Sequence, residues 1–280
     1  MTGFFTEENS AQAVNARMRD GIDPRLKTIM SALVKHLHAF VKEVELTEDE
    51  WNSAIEFLTT TGQICSNERQ EYILLSDVLG VSMLVDAINN RRPTGATENT
   101  VFGPFHVKDA PVRQMGDSIS LDGKGETCLF TGRVLDLNGN PVKGANIDVW
   151  SDNADGYYDV QQPDSQPKWN NRGIFVTGSD GAYSFIGTKP VSYPIPDDGP
   201  VGKMLAALGR HPYRPAHTHF LVTAQGHQKL VTHTFVGDDP YLASDTVFGV
   251  KETLVAPFEP NPDGTTQWVS RFDFILMSES

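Results

Sequence analysis

Cysteine, positive charge and long apolar runs are all scarce in this chain, and each scarcity excludes something. Two of the 280 residues are cysteine, Cys65 and Cys128, far apart and without the spacing of a metal-binding pair. Cysteine-pair metal sites are therefore excluded. The two thiols either bridge or stay reduced and buried, and the second reading fits a reducing compartment. Lysine and arginine number 23 against 36 aspartate and glutamate, a formal net charge of −13. So acidic a surface repels phosphate backbones and anionic headgroups, which argues against nucleic-acid and membrane-surface partners. No stretch approaches the roughly 18 apolar residues of a membrane span. The opening MTGFFTEENS lacks the basic region of a secretion signal, so the protein is expected to be cytoplasmic, with no membrane insertion. Internal repeats and low-complexity segments are also missing. Hydrophobic residues at 39% and charged residues at 21% are ordinary for a globular chain, which excludes extensive disorder.

What is present divides by texture. Leu26, Ile29, Met30, Leu33, Val34, Leu37, Phe40 and Val41 recur at the spacing of one helical face. Thr47 with Glu50 forms a capping box, flanked by Leu46 and Trp51 as a hydrophobic staple. A further helix is expected from about Arg69 to Asn90, stopping before Pro93. From Pro93 to about Thr127, prolines and glycines punctuate an ordered linker without helical period. Beyond it, short β runs alternate with turn pairs such as Asn138-Gly139, Asp155-Gly156 and Asp180-Gly181. One helical interruption is expected from Pro200 to Gly209. The result is an α+β chain: a helical N-terminal domain with linker over 1–115, then an antiparallel β-sandwich over 116–280. The wide apolar faces of the first helices predict a homodimer built on that domain.

Chemistry concentrates in the second part. His217-Thr218-His219 opens the run AHTHFLVTA. On a strand, the period of two puts both imidazoles on one face, with Cβ atoms about 6–7 Å apart, close enough to share a metal. His36 and His38 have the same spacing but lie in a helical segment, where such a pair diverges by about 200°. The strand pair is therefore either a ligand pair or two half-buried histidines. Tyr157, Tyr158 and Tyr193 stand in loops. Either their rings pack with hydroxyls in water, or their phenolates bind a hard trivalent ion, which together with histidine and no nearby cysteine points to Fe(III). Arg214 precedes the histidines and could stabilise charge on an aromatic oxygen, or be a solvated loop residue. Val101, Phe102, Gly103, Pro104 and Phe105 form either a turn or an apolar wall for a flat substrate.

The strings WSDNADGYYDV, RGIFVTGSDGAYSF, YPIPDDGPVGKMLAALGRHPYRPAHTHF and VTHTFVGDDPYLASDTVFGVK together resemble the intradiol ring-cleavage dioxygenases. The helical LLSDVLGVSMLVDAI and TENTVFGPFHV are similar to the branch acting on catechols and hydroxyquinol. The resemblance runs from about residue 20 to 276. It implies one Fe(III) per subunit, held by Tyr158 and His217 in the equatorial plane and Tyr193 and His219 axially. Tyr193 would also take a substrate proton, and Arg214 would stabilise substrate charge. His233 replaces the usual glutamine of the catechol enzymes, and DTVFGVK also departs from their pattern. Both look like the hydroxyquinol (benzene-1,2,4-triol) branch. Leu74 and Asp77 fall where that branch contacts substrate, and Asp77 could accept a hydrogen bond from a third ring hydroxyl. The implied reaction uses O2 and yields 3-hydroxy-cis,cis-muconate, equivalent to maleylacetate. The implied assembly is a homodimer that can carry a phospholipid at its interface. Catechol or chlorocatechol cleavage is the alternative, and a non-enzymatic transthyretin-like sandwich, which FTGRVLDLNGNPVKGANIDVW alone would fit, is the third reading.

Overall fold

The structure, a computed structural model, describes residues 4–66 and 69–279. Two compact units meet in the sequence between Gln63 and Ile64.

The first unit holds α1 (Ser10–Asn15), α2 (Pro24–Glu43) and α3 (Glu48–Gln63). Asp23 caps α2 by accepting the Leu26 amide at 2.8 Å, with Pro24 at the first helical position. The capping box before α3 forms: Glu50 accepts the Thr47 amide at 2.9 Å, and Thr47 accepts the Glu50 amide at 3.3 Å. The apolar row of α2 exists as expected, but Leu26, Ile29, Leu33, Leu37 and Phe40 all remain exposed, as do Trp51 and Ile55 of α3. Among the described residues no helix is long and apolar enough to cross a membrane.

The second unit opens with α4 (Glu71–Val78) and α5 (Val81–Asn89). The single helix expected over 69–90 is thus broken in two. Gly80 adopts φ +73°, a left-handed conformation that stops one helix and admits the next. Within this unit α4 is tied to the helix that interrupts the sandwich. Glu71, almost fully buried, accepts the Val201 amide at 3.1 Å and so caps α6 (Pro200–Ala207). Arg210 donates to the Val78 carbonyl at 2.7 Å, satisfying the end of α4.

The sandwich comprises β1 (Thr127–Asp136), β2 (Asn146–Trp150), β3 (Arg172–Val176), β4 (Ala182–Thr188), β5 (Tyr193–Pro194), β6 (Tyr213–Arg214), β7 (His217–Thr223), β8 (Leu230–Val236), β9 (Val255–Ala256), β10 (Phe258–Pro260), β11 (Trp268–Arg271) and β12 (Phe274–Leu276). One sheet runs β10-β11-β1-β12 with β4 also on β1; the other runs β3-β2-β7-β8-β9. Most pairs are antiparallel, but β1 meets β11 and β12 in parallel, and β8 meets β9 likewise. The alternating residues of β1 place Cys128, Phe130 and Val134 inward, where Phe130, Phe185 and Phe175 stack at 4.9 and 5.0 Å between the sheets. Cys65 and Cys128 form no disulfide. Cys128 is fully buried and its thiol is pushed up to about 12 by burial, so it is unreactive packing. Cys65 is only partly buried. The core fixes β7 between β2 and β8, and this sets the position of the histidine pair.

Candidate metal centre

On β7 the two histidines face the same way, as the period of two requires, and both are fully buried. Their Nε2 atoms are 3.2 Å apart. His217 Nδ1 lies 2.7 Å from the Pro215 carbonyl, which accepts a hydrogen bond from the Nδ1–H and so puts the lone pair on Nε2, the atom turned toward the other donors and toward Arg214. His36 and His38 lie inside α2, where the same spacing joins nothing.

Two phenols approach from separate loops. Tyr158 follows β2 after a tight turn and is locked by Gln161, whose side chain accepts the Tyr158 amide at 2.9 Å. Its ring stacks on Phe105 at 4.6 Å and is fully buried. Tyr193 sits on β5, paired with Arg214 of β6. Its hydroxyl is 3.4 Å from the Tyr158 hydroxyl and 3.4 Å from His217 Nε2. Tyr157, the third loop tyrosine, points to solvent.

Burial pushes both phenols above their ordinary range, with each phenol and Asp152 among the neighbours and Arg214 opposing. Burial likewise holds His217, His219 and His233 far below the usual imidazole range, aided by the Arg214 charge. The imidazoles are therefore neutral donors, and the phenols keep their protons unless a strong cation compensates. Cis donors about 2.1 Å from one ion stand about 3 Å apart, close to the 3.2 and 3.4 Å separations seen here. Two phenol oxygens and two imidazole nitrogens thus fit a single hard cation.

His217, His219 and His233 also form a buried group whose ligand atoms lie within 4.8 Å of one another. His233, opposite His219 across β7 and β8, stacks its ring on His217 at 4.8 Å with an interplanar angle of 23°. Imidazole lone pairs lie in the ring plane, so near-parallel rings do not converge on one ion. The phenols complete the donor set better than His233 does. Neither ring nitrogen of His233 has a hydrogen bond of good geometry, although the Val101 main chain favours its protonated form against burial.

Arg214 is buried, not solvated. Its Nη1 is 3.0 Å from His217 Nε2, and Asp245 accepts from its Nε and Nη2 at 3.3 and 3.4 Å. Burial disfavours the guanidinium charge, but Asp245 and the phenol oxygens outweigh it. Asp77 on α4 is half-buried. Burial raises its carboxyl, while Ser82 and the Arg214 charge lower it, so it lies within the field of Arg214. Leu74 is half-buried one turn earlier on α4.

The segment 101–105 makes a turn at Pro104 and Phe105 and packs against the sandwich. The Thr100 amide donates to Val231 on β8, anchoring its start. Phe102 lies against Trp150, and Pro104 is exposed between Gly103 and Phe105. Gly103 has φ +75°, and a Cβ there would stand 2.8 Å from His219 Cε1. Gly103→Ala is expected to cost about 1–2 kcal/mol from backbone strain and to displace the imidazole as well. Gly116, at φ +87° with open space around its Cβ position, provides the control. Thermal melts of both alanine variants should fall together, while the metal-binding spectrum changes in the Gly103 variant alone.

Several site neighbours escaped sequence reasoning. Trp150 ends β2 and stacks flat on His219 at 4.8 Å and 13°. The alternation of NIDVW puts it on the face of Asn146 and Asp148, opposite the core residues Ile147 and Val149, so the strand pattern gave no sign of its burial. Asp152, wholly buried beside the phenols, is pushed up by burial to about 8. Arg172 pairs with Asp159 at 2.6 Å behind Tyr158, and Asp245 holds Arg214; nothing in their sequence spacing marks either carboxylate.

A family model described as Dioxygenase matches residues 101–278, and one described as Catechol dioxygenase N terminus matches residues 23–97. The chain is 63% identical to a hydroxyquinol 1,2-dioxygenase of Rhizobium sp. over 92% of its own length and 87% of the relative's. It is 49% identical to a 6-chlorohydroxyquinol 1,2-dioxygenase of Cupriavidus pinatubonensis, covering 97% of this chain and 98% of that one. The crystal structure of a hydroxyquinol 1,2-dioxygenase from Pseudomonas putida superposes with a TM-score of 0.94 at 49% identity, over 98% and 99% of the two chains. A catechol 1,2-dioxygenase of Acinetobacter radioresistens gives 0.83 at 27% identity, over 98% and 95%. With both family segments matched and this identity over nearly its whole length, the chain belongs to the intradiol ring-cleavage dioxygenase family.

Proposed function

We propose that the protein cleaves hydroxyquinol between its adjacent hydroxyls with O2, giving 3-hydroxy-cis,cis-muconate or its tautomer maleylacetate, at one Fe(III) per subunit held by Tyr158, Tyr193, His217 and His219. The observation that carries the reading is the run of close approaches through these four buried donor atoms, Tyr158 to Tyr193 and Tyr193 to His217 at 3.4 Å and His217 to His219 at 3.2 Å. What a bound ferric ion supplies is Lewis acidity, which favours the deprotonated diol and draws electron density from the ring.

The protein's residues do the rest. Phe102, Phe105 and Trp150 present aromatic surface beside the donors, suited to a flat ring. Tyr193, next to Arg214, would be ionised once a cation is held and in that form would accept a substrate proton at its oxygen, so no separate carboxylate base is needed. Arg214, kept charged by Asp245, stabilises negative charge building on the substrate oxygens. Asp77 supplies an acceptor for the third hydroxyl that catechol lacks, and the unpaired nitrogens of His233 offer a second polar contact. The division into a dimerisation part up to 115 and a catalytic part from 116 belongs to the same proposal, with Leu74 and Asp77 contributed from the helical side. The exposed apolar rows of α2 and α3 are covered by a second copy, and native mass measurement should give a dimer, with any bound phospholipid visible as added mass.

Initial rates under air on hydroxyquinol, catechol and chlorocatechols separate the candidates. Hydroxyquinol should exceed catechol by at least about tenfold in kcat/KM, and Asp77→Ala should erase most of that ratio while sparing catechol. A wild-type preference for catechol would end the substrate assignment. A non-catalytic sandwich would turn over none of the three diols and would stay colourless with iron.

A further inference from the structure

A single carboxylate outside the donor set ties together two of the segments that carry donors. Asp239 stands in the turn after β8, and its Oδ2 accepts both the Ala216 amide, at 2.9 Å, and the Ser192 hydroxyl. Its Oδ1 accepts the Tyr241 amide at 2.8 Å, which orients the carboxylate from within its own loop. Ser192 immediately precedes Tyr193, and Ala216 immediately precedes His217.

Neither point of attachment lies inside a long strand, though the Ala216 carbonyl accepts the Val236 amide at 3.0 Å and Asp152 accepts the Val191 amide at 3.4 Å. β5 and β6 are two residues long, and Ala216 lies between the end of β6 and the start of β7. So short a pairing is marginal alone and leaves the phenol direction to other contacts. The Asp239 bonds supply those contacts, and as hydrogen bonds to an ionised acceptor they are stronger than neutral ones. The same loop continues to Asp245, whose carboxylate takes the Val247 and Gly249 amides and holds Arg214. One loop therefore references Tyr193, His217 and Arg214 to each other.

We propose that Asp239, acting through Ser192, is a positioning residue for the Tyr193 phenol, keeping its oxygen within reach of Tyr158 and His217. The proposal rests on the reading of Tyr193 as a ligand and proton acceptor. It adds that the loop from Asp239 sets where the phenol oxygen stands relative to the other donor atoms.

The test uses the full-length enzyme with Ser192→Ala, Ser192→Thr and Asp239→Ala. In Ser192→Ala, amide hydrogen exchange over 191–195 should rise roughly tenfold, while exchange around Tyr158 stays at the wild-type level. The iron-loaded variant should keep its metal but show a shifted visible band, with kcat down roughly tenfold and KM nearly unchanged. Ser192→Thr, which keeps the hydroxyl, should restore all three. Asp239→Ala should repeat the effect and also loosen the Ala216 amide.

Unchanged exchange over 191–195 in Ser192→Ala overturns the proposal whatever the metal content. Faster exchange with wild-type band and kcat overturns it too, because the tie would then be a loop anchor and nothing more. A wild-type protein that takes up no iron sinks the reading of the donor set, and the positioning role toward a cation with it; the exchange data then report only whether the tie exists.

Discussion

Tyr158→Phe should fold normally, lose its colour with iron, and retain less than about 1% of wild-type activity. The substitution removes one oxygen and leaves the ring stacked on Phe105. That oxygen meets the Tyr193 hydroxyl at a long 3.4 Å, so the stability cost should stay below about 1.5 kcal/mol. The metal cost is much larger. Second-layer changes already cost about 10–100-fold in affinity, and here an anionic donor is deleted outright. A melting curve near wild type, with iron content and the visible band both gone, separates ligand loss from misfolding. His219→Ala should share the metal phenotype but melt lower, because Trp150 loses the ring it stacks on. A Tyr158→Phe protein that stays coloured and active would sink the four-donor assignment.

The second large effect is expected at Arg214, with the opposite signature. Arg214→Gln should keep its iron and colour and lose about 10²–10³ in kcat, the range for removing one charge-stabilising donor. KM should rise less, since stabilisation of developing charge matters most in the transition state. Arg214→Ala should show the same kinetic loss with an added stability penalty, because Asp245 would keep a buried carboxylate short of its cation. Asp245→Asn then tests the charge on that partner: it neutralises the carboxylate that pairs with Arg214 and keeps one acceptor oxygen, enough for either the Val247 or the Gly249 amide but not both. Its kcat should fall between wild type and Arg214→Gln, and iron should again be retained. Loss of iron in Arg214→Gln would instead assign the guanidinium to holding His217, which it touches at 3.0 Å.

The strand pair shows what sequence can carry. His217 and His219 are legible because a strand has only one geometry for i and i+2, so the spacing alone puts both rings on one face. The helical pair His36 and His38 shows the same spacing without that consequence. Capping at Thr47 and Glu50, and Pro200 at the first position of α6, were equally local and equally readable. The break at Gly80 was in principle readable as well, since a glycine in an apolar run is a stop signal, but the continuing apolar period on both sides hid it. The phenols were a different case. Tyr158 and Tyr193 are separated by 34 intervening residues, and no local pattern says that their hydroxyls meet rather than face water. Asp239, Asp245 and Asp152 carried no signal at all, because a carboxylate in a turn reads as solvated until its donors are seen.

The sequence by itself determined the class of each element, the common face of the histidine pair, the acidic surface, and enough long matching strings to place the chain in its family. Tertiary structure alone decided which tyrosine is buried and which is exposed, that His233 stacks on His217, and that Arg214 is charged inside the protein and not outside it. The reason lies in range. Periodicity and capping act over a few residues along the chain, whereas a metal centre is a set of contacts between loops whose separation the backbone sets only after the two sheets have packed.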